Sequence, residues 1–170
     1  NFSALKAARE LRNEPVERCI LVDLGTVLEC QGRWNEAKER YKDSLIISTR
    51  LESVEGQAIA WEHLGELFQR EGKTVEAEDA YRRHTELRKR KNECDLHRKA
   101  VGLDKDGKLL ERSGKLDEAA QKYFESLEIR NKIDDKSGQI YSLSHIGDVF
   151  TRQRRWEEAE SAYKESIKIC

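Results

Sequence analysis

The chain has 170 residues, enough for one or two compact domains or a short repeat array. Charged residues are 38%, hydrophobic residues 37% and aromatic residues 7%, with one proline, so the composition favours helices over a β-rich fold and excludes compositional disorder. Lys plus Arg total 32 against 33 Asp plus Glu, and that net charge of −1 argues against a generally basic nucleic-acid binder.

No apolar run approaches the roughly 18 residues of a membrane span, and no signal-peptide pattern opens the chain. No membrane partner is expected. Cys19, Cys30, Cys94 and Cys170 are too scattered for a disulfide scaffold, which predicts a reducing, cytoplasmic or nuclear setting. The lack of any Met predicts a piece of a longer protein.

The first predicted element, Phe2 to Arg12, aligns one period back from Lys42 to Glu52 and reads as the second helix of a truncated preceding repeat, within 1–14. Next comes Leu24-Gly25-x6-Gly32-x4-Ala37-x3-Tyr41, and Leu64-Gly65-x6-Gly72-x4-Ala77-x3-Tyr81 repeats it with a shift of 40. Gly107, Gly114, Ala119 and Tyr123 form a third copy after a shift of 42. Ile146-Gly147, Ala159 and Tyr163 form a fourth, with Arg154 in place of the second glycine. The predicted units are 15–55, 56–95, 96–137 and 138–170, the last truncated. Both ends read as cut, because no polar terminal helix caps the array.

Each unit reads as two helices. Leu21, Leu24 and Leu28 form an i, i+3, i+7 stripe on the first, matched by Trp61, Leu64, Phe68 and by Leu143, Ile146, Phe150. Gly32, Gly72 and Gly114 follow at places that need a left-handed helix-ending residue. Gly25, Gly65, Gly107 and Gly147 lie inside first helices, at a cost of about 1 kcal/mol each against Ala. Close approach of another helix explains that cost, with the Ala columns at the contact and the tyrosines filling the space between helices. The third unit departs from the pattern: two extra residues precede it, Asp106 replaces the leucine column, and Gly102 weakens the helix. That junction is the least regular and reads as a hinge candidate.

These columns resemble the tetratricopeptide repeat, whose pattern is W-x2-L-G-x2-Y followed by A-x3-F. Trp61-x2-Leu64-Gly65-x2-Phe68, then Ala77-x3-Tyr81, is a close match. The resemblance implies an all-α fold, a right-handed superhelical solenoid of antiparallel helix pairs, here of a long 40-residue period. Similar long repeats occur in kinesin light chains, spindle-orientation adaptors and prokaryotic signalling proteins. The resemblance also implies that first helices line a concave groove.

The stripe that would line that groove is Cys19, Val22, Thr26, Glu29; Ile59, Glu62, Glu66, Gln69; Val101, Asp104, Lys108, Glu111; and Tyr141, Ser144, Asp148, Thr151. Arg70, Arg112 and Arg152 lie one residue beyond. Arg70 and Arg152 are spaced to pair with Glu66 and Asp148 at i, i+4. The expected peptide-binding residues are Ile59, Glu62, Glu66, Gln69, Asp104, Lys108, Glu111, Arg112, Tyr141, Asp148 and Arg152. Six acids with an apolar rim predict a protein or peptide partner that is basic and carries an apolar anchor. Chaperone-binding members of the family clamp a C-terminal carboxylate with lysine, arginine and asparagine. The matching places here hold Val22, Thr26, His63, Val101 and Lys105, so that role is not expected.

No catalytic motif is present: there is no G-x-S-x-G, no H-E-x-x-H and no phosphate-binding glycine loop. No enzyme activity, cofactor or metal is expected. His63 and His145 share a repeat column and read as partly exposed. Cys94-x2-His97 lacks a second ligand pair for zinc and reads as a linker cysteine with a surface histidine. Asp104-x-Asp106-Gly107 places its glycine too early for a calcium loop. Cys19, Cys30 and Cys170 read as small packing residues. Arg82 to Lys99 carries eight basic and three acidic residues. A helix C-terminus favours such charges, and no aromatics interleave for base stacking, so nucleic-acid binding is the less favoured reading. The alternatives to a protein-binding scaffold are a regulatory or sensor arm on an ATPase, protease or transcription factor, and head-to-tail self-association through uncapped ends.

Overall fold

The computed structural model describes residues 2–169, with Phe2 described by its backbone alone. All the elements described are helices: α1 (Phe2–Glu10), α2 (Glu14–Cys30), α3 (Trp34–Arg50), α4 (Val54–Arg70), α5 (Thr74–Arg112), α6 (Leu116–Lys132), α7 (Lys136–Arg152) and α8 (Trp156–Ile169). They fall into two compact units, residues 1–91 and 92–170, with the boundary inside α5.

Two kinds of turn alternate. First helices end at Gly32, Gly72 and Gly114, with φ of +73°, +73° and +81° as the sequence predicts, and Arg154 takes φ +61° in the fourth copy. Gly32 N–H donates to Glu29 O and Arg33 N–H to Leu28 O, both at 2.9 Å, the paired bonds that close a helix on a left-handed residue. Second helices end on Arg12, Glu52 and Asp134, also at positive φ. The residue after each caps the next helix: Asn13, Ser53 and Asp135 accept from the N–H of Val16, Gly56 and Gly138 at 3.2, 3.2 and 3.0 Å.

In unit 1, Leu5, Leu21, Leu24 and Ile47 form one buried cluster, and Leu28, Ala37, Tyr41, Leu64 and Leu67 form the next. In unit 2, Tyr123, Ile146, Val149 and Phe150 pack with Ala119, Ala120, Ala159 and Ala162. The glycine column has a specific cause. A Cβ on Gly25, Gly65, Gly107 or Gly147 would lie 2.4–2.9 Å from the Cε1 of Tyr41, Tyr81, Tyr123 or Tyr163. The close neighbour is thus the tyrosine ring of the repeat's own second helix.

Three expectations are corrected. The break expected between 95 and 96 is absent, because α5 runs unbroken for 39 residues and Cys94 is helical rather than in a linker. The cap column Asn13, Ser53, Asp135 has Asp95 as its fourth member, yet Asp95 instead accepts from Arg98 Nη1 at 2.9 Å. A non-glycine left-handed residue costs about 1–2 kcal/mol. At the other junctions, burial of Leu24, Leu64 or Ile146 offsets that cost. Their column here holds Asp106, which is exposed, so a turn would gain nothing and helix propensity prevails. Second, Cys19 and Cys30 are exposed rather than packed. Cys170 lies outside the described residues. Third, Asp104 is buried, as the site geometry shows.

Candidate protein-binding surface

In unit 1, α4 carries the expected stripe. Ile59 is half-buried, and the Glu62 and Glu66 side chains are 44% and 46% exposed. Exposed Gln69 accepts from Tyr81 Oη at 3.0 Å. Glu62 and Glu66 face His84 Nδ1 at 3.9 Å and His63 Nδ1 at 3.6 Å, and no Lys or Arg pairs with either among the described residues.

Arg70 does not pair with Glu66 as its spacing predicts. It reaches Glu29 on α2 at 3.2 Å and stacks on Trp34 at 5.0 Å. Glu29 also accepts from Tyr41 Oη at 3.0 Å, and the Tyr41 ring lies flat on His63 with centroids 4.6 Å apart. The partner of an i, i+4 pair has been taken by a residue one repeat back, where the Glu29 side chain is only 11% exposed and the attraction is less screened.

Unit 2 repeats this arrangement 82 residues on. Arg152 pairs with Glu111 at 2.8 Å rather than with Asp148, Tyr123 Oη donates to Glu111 at 3.2 Å, and the Tyr123 ring stacks on His145 at 5.0 Å. Exposed Asp148 accepts from Tyr163 Oη at 2.7 Å. Burial pushes the Tyr41 and Tyr123 phenols well above their usual range. The neighbouring carboxylates Glu29 and Glu111 add to this, and the Thr26 hydroxyl opposes it at Tyr41.

Asp104 is not an open acid of the stripe: it lines a cleft of unit 2 from a buried position. It is ion-paired with Arg130, both side chains only 6% exposed, and lies beside the hydroxyl of Ser142. Charge burial on this scale requires pairing and hydrogen bonding, and the Arg130 Nε–H donates to Ser126 Oγ at 3.1 Å. Above the pair is a cleft of about 490 Å³ lined by Val101, Lys105, Lys108 and Tyr141. Lys108 is exposed with its ammonium 5.2 Å from the half-buried Tyr141 ring, and Arg112 is exposed on α5.

The basic stretch is partly neutralised. Asp79 holds Arg82 and Arg83, Glu55 holds Lys91 at 2.8 Å, and Asp95 holds Arg98.

The geometry of paired helices, with a glycine under each tyrosine, agrees with the family model for the tetratricopeptide repeat, which matches residues 16–90 and 107–170. The chain belongs to the tetratricopeptide repeat family. Tetratricopeptide repeats are generally protein–protein interaction modules and non-catalytic scaffolds. Among solved structures, BtubC (BKLC) from P. vanneervenii is 22% identical, over 98% of this chain and 69% of that one, with a TM-score of 0.49. The kinesin light chain from Podosopora anserina with nearly identical TPR-like repeats is 15% identical over 97% of this chain and 81% of that one, with a TM-score of 0.46. MamA is 22% identical over 97% and 85%, with a TM-score of 0.38. No curated protein matches significantly.

The cross-repeat set of tyrosine, histidine, acid and arginine was not read from the sequence. Its signal was there, in the shared spacing of 82 from Glu29, Tyr41, His63, Glu66 and Arg70 to Glu111, Tyr123, His145, Asp148 and Arg152.

Proposed function

We propose that this tetratricopeptide repeat chain is a protein-binding scaffold, and that the α4 face of unit 1 takes a basic segment with an apolar anchor. The observation that carries this reading is the pair Glu62 and Glu66. Neither carboxylate pairs with a Lys or Arg among the described residues, and Arg70, one turn on from Glu66, is held by Glu29 instead. A Lys or Arg side chain from a partner would find unspent charge there, with the apolar Ile59 alongside. In unit 2 the exposed stripe is mixed, with Lys108, Arg112 and Arg152 beside Asp148, so the acid preference belongs to unit 1. The exposed thiols of Cys19, Cys30 and Cys94 favour a reducing compartment for this work.

Fluorescence anisotropy with a panel of labelled peptides tests the reading. Basic peptides carrying a Leu or Phe should bind more tightly than acidic ones of the same length. The Glu62→Lys/Glu66→Lys variant should lose about tenfold or more in affinity, a difference of about 1.4 kcal/mol. Equal binding of basic and acidic peptides, or an unaffected variant, would dismiss it.

A further inference from the structure

We propose that Glu29, His63 and Glu66 form a site for one divalent transition-metal ion, zinc-like in preference, that joins α2 to α4 within unit 1. The inference goes beyond the peptide-binding reading and does not rest on it: a bound ion takes the Glu66 carboxylate and leaves Glu62 as the open acid of that face.

Three observations carry it. First, the ligand atoms of Glu29, His63 and Glu66 all lie within 4.8 Å of one another, although the three residues come from two repeats. Second, His63 Nδ1 is buried and has no hydrogen-bond partner. A buried ring nitrogen without a partner is costly, and a metal ion satisfies a neutral imidazole nitrogen directly. Third, Nδ1 lies 3.6 Å from Glu66 Oε2. That is too long for a hydrogen bond. It is close to the separation of about 3.4 Å between two ligands that each sit about 2.0–2.2 Å from a tetrahedral ion.

The surroundings suit the role. The stacked Tyr41 ring fixes the plane of the imidazole, and Tyr41 Oη holds Glu29 by its Oε2. Such outer contacts orient ligands. Two carboxylates and one imidazole leave a divalent ion formally neutral, with a coordination position open to water or to a partner's side chain. Arg70, 57% exposed, now stands at Glu29 Oε1, and an incoming ion would displace it toward solvent.

Unit 2 serves as a built-in control. Its corresponding residues are Glu111, His145 and Asp148. His145 Nδ1 is likewise buried without a hydrogen-bond partner, but Asp148 is one methylene shorter and lies 3.8 Å from it, and among the described residues only the unit 1 set has its ligand atoms all within 4.8 Å of one another. Arg152 is closer to Glu111 than Arg70 is to Glu29. The proposal is therefore one ion per chain, not two.

Titration of the metal-free chain with Co²⁺, followed by its visible d–d bands and by displacement with Zn²⁺, tests this. The expected result is saturation at one ion per chain without a thiolate charge-transfer band. His63→Ala and Glu66→Gln should each weaken binding by at least about tenfold, since even outer-shell partners are worth that much. His145→Ala should bind as the parent does. Circular dichroism checks that each variant is folded. If a variant is not, the imidazole ¹⁵N resonances of the parent decide: Zn²⁺ should shift those of His63 and leave those of His145 in place. Absence of saturable binding, a thiolate band at stoichiometric metal, parent-like affinity in folded His63→Ala, or an unmoved His63 resonance would each overturn the proposal.

Discussion

At Gly25 a single hydrogen in place of a methyl group decides whether the Tyr41 ring can lie against α2. A Cβ there would come within 2.4 Å of the ring, and Tyr41 is fully buried. At Gly65 the same contact is 2.9 Å and Tyr81 is half-buried, so its ring has room to move. Overpacking costs about 1–3 kcal/mol, and removing a helical glycine returns up to about 1 kcal/mol. Gly25→Ala should therefore lose about 1–2 kcal/mol in urea unfolding while Gly65→Ala stays near neutral; equal losses would show that the ring contact is not the cause. The tyrosines also set a pH response. Their phenols are raised by burial above the usual value of about 10. Below about pH 10 both folded and unfolded chains keep these protons, and the stabilisation is complete. Above it the unfolded chain releases protons that the folded chain retains, so stability falls as pH rises. Melting temperatures between pH 8 and 11 should drop more steeply for the parent than for Tyr41→Phe/Tyr123→Phe.

Helices carry the next level of organisation, and α5 is where the repeat pattern and the structure part. The turn columns and the alanine and tyrosine columns were legible because each recurs at a fixed spacing and does its work locally. Gly32, Gly72 and Gly114 are cases in point. The unbroken α5 was not legible: the cap residue is present as Asp95, and only the lost gain from Asp106 keeps the helix from turning. Asp104 misled for a related reason. Its column held Val22 in the first unit, and only the tertiary partner Arg130, 26 residues away, explains a carboxylate there. That pairing makes a prediction. Asp104→Ala leaves the buried Arg130 guanidinium with Asp135, 3.5 Å away, in place of its closer partner, and should cost about 3 kcal/mol in urea unfolding, the low end for a broken buried pair. The Asp104→Val/Arg130→Ser variant, which installs the Val22 and Ser48 found at the same columns of unit 1, should recover most of that loss. A double variant as unstable as the single would contradict a charge-burial origin.

For the molecule as a whole, the apolar clusters sort cleanly by unit: those around Leu21 and Tyr41 lie within 1–91, and that around Tyr123 lies within 92–170. Repeat arrays are stabilised by each repeat and its neighbour contacts, so a fragment holding complete clusters should fold. The fragment 1–91 should be helical and melt cooperatively by circular dichroism; a non-cooperative melt would show that its clusters are insufficient alone. The functional surface was only partly legible at this scale. On α4, Ile59 is half-buried and Glu62 and Glu66 are partly exposed on the face that the helical spacing marked. Arg70 and Arg152 were assigned to the wrong acids, because cross-repeat distances are set by packing and not by sequence separation. The most direct test of the scaffold reading is chemical-shift mapping on ¹⁵N-labelled chain with a bound basic, Leu-containing peptide. The account predicts shifts centred on Ile59, Glu62, Glu66 and Gln69; shifts confined to α3 or to Arg82–Lys99, with α4 unmoved, would contradict it.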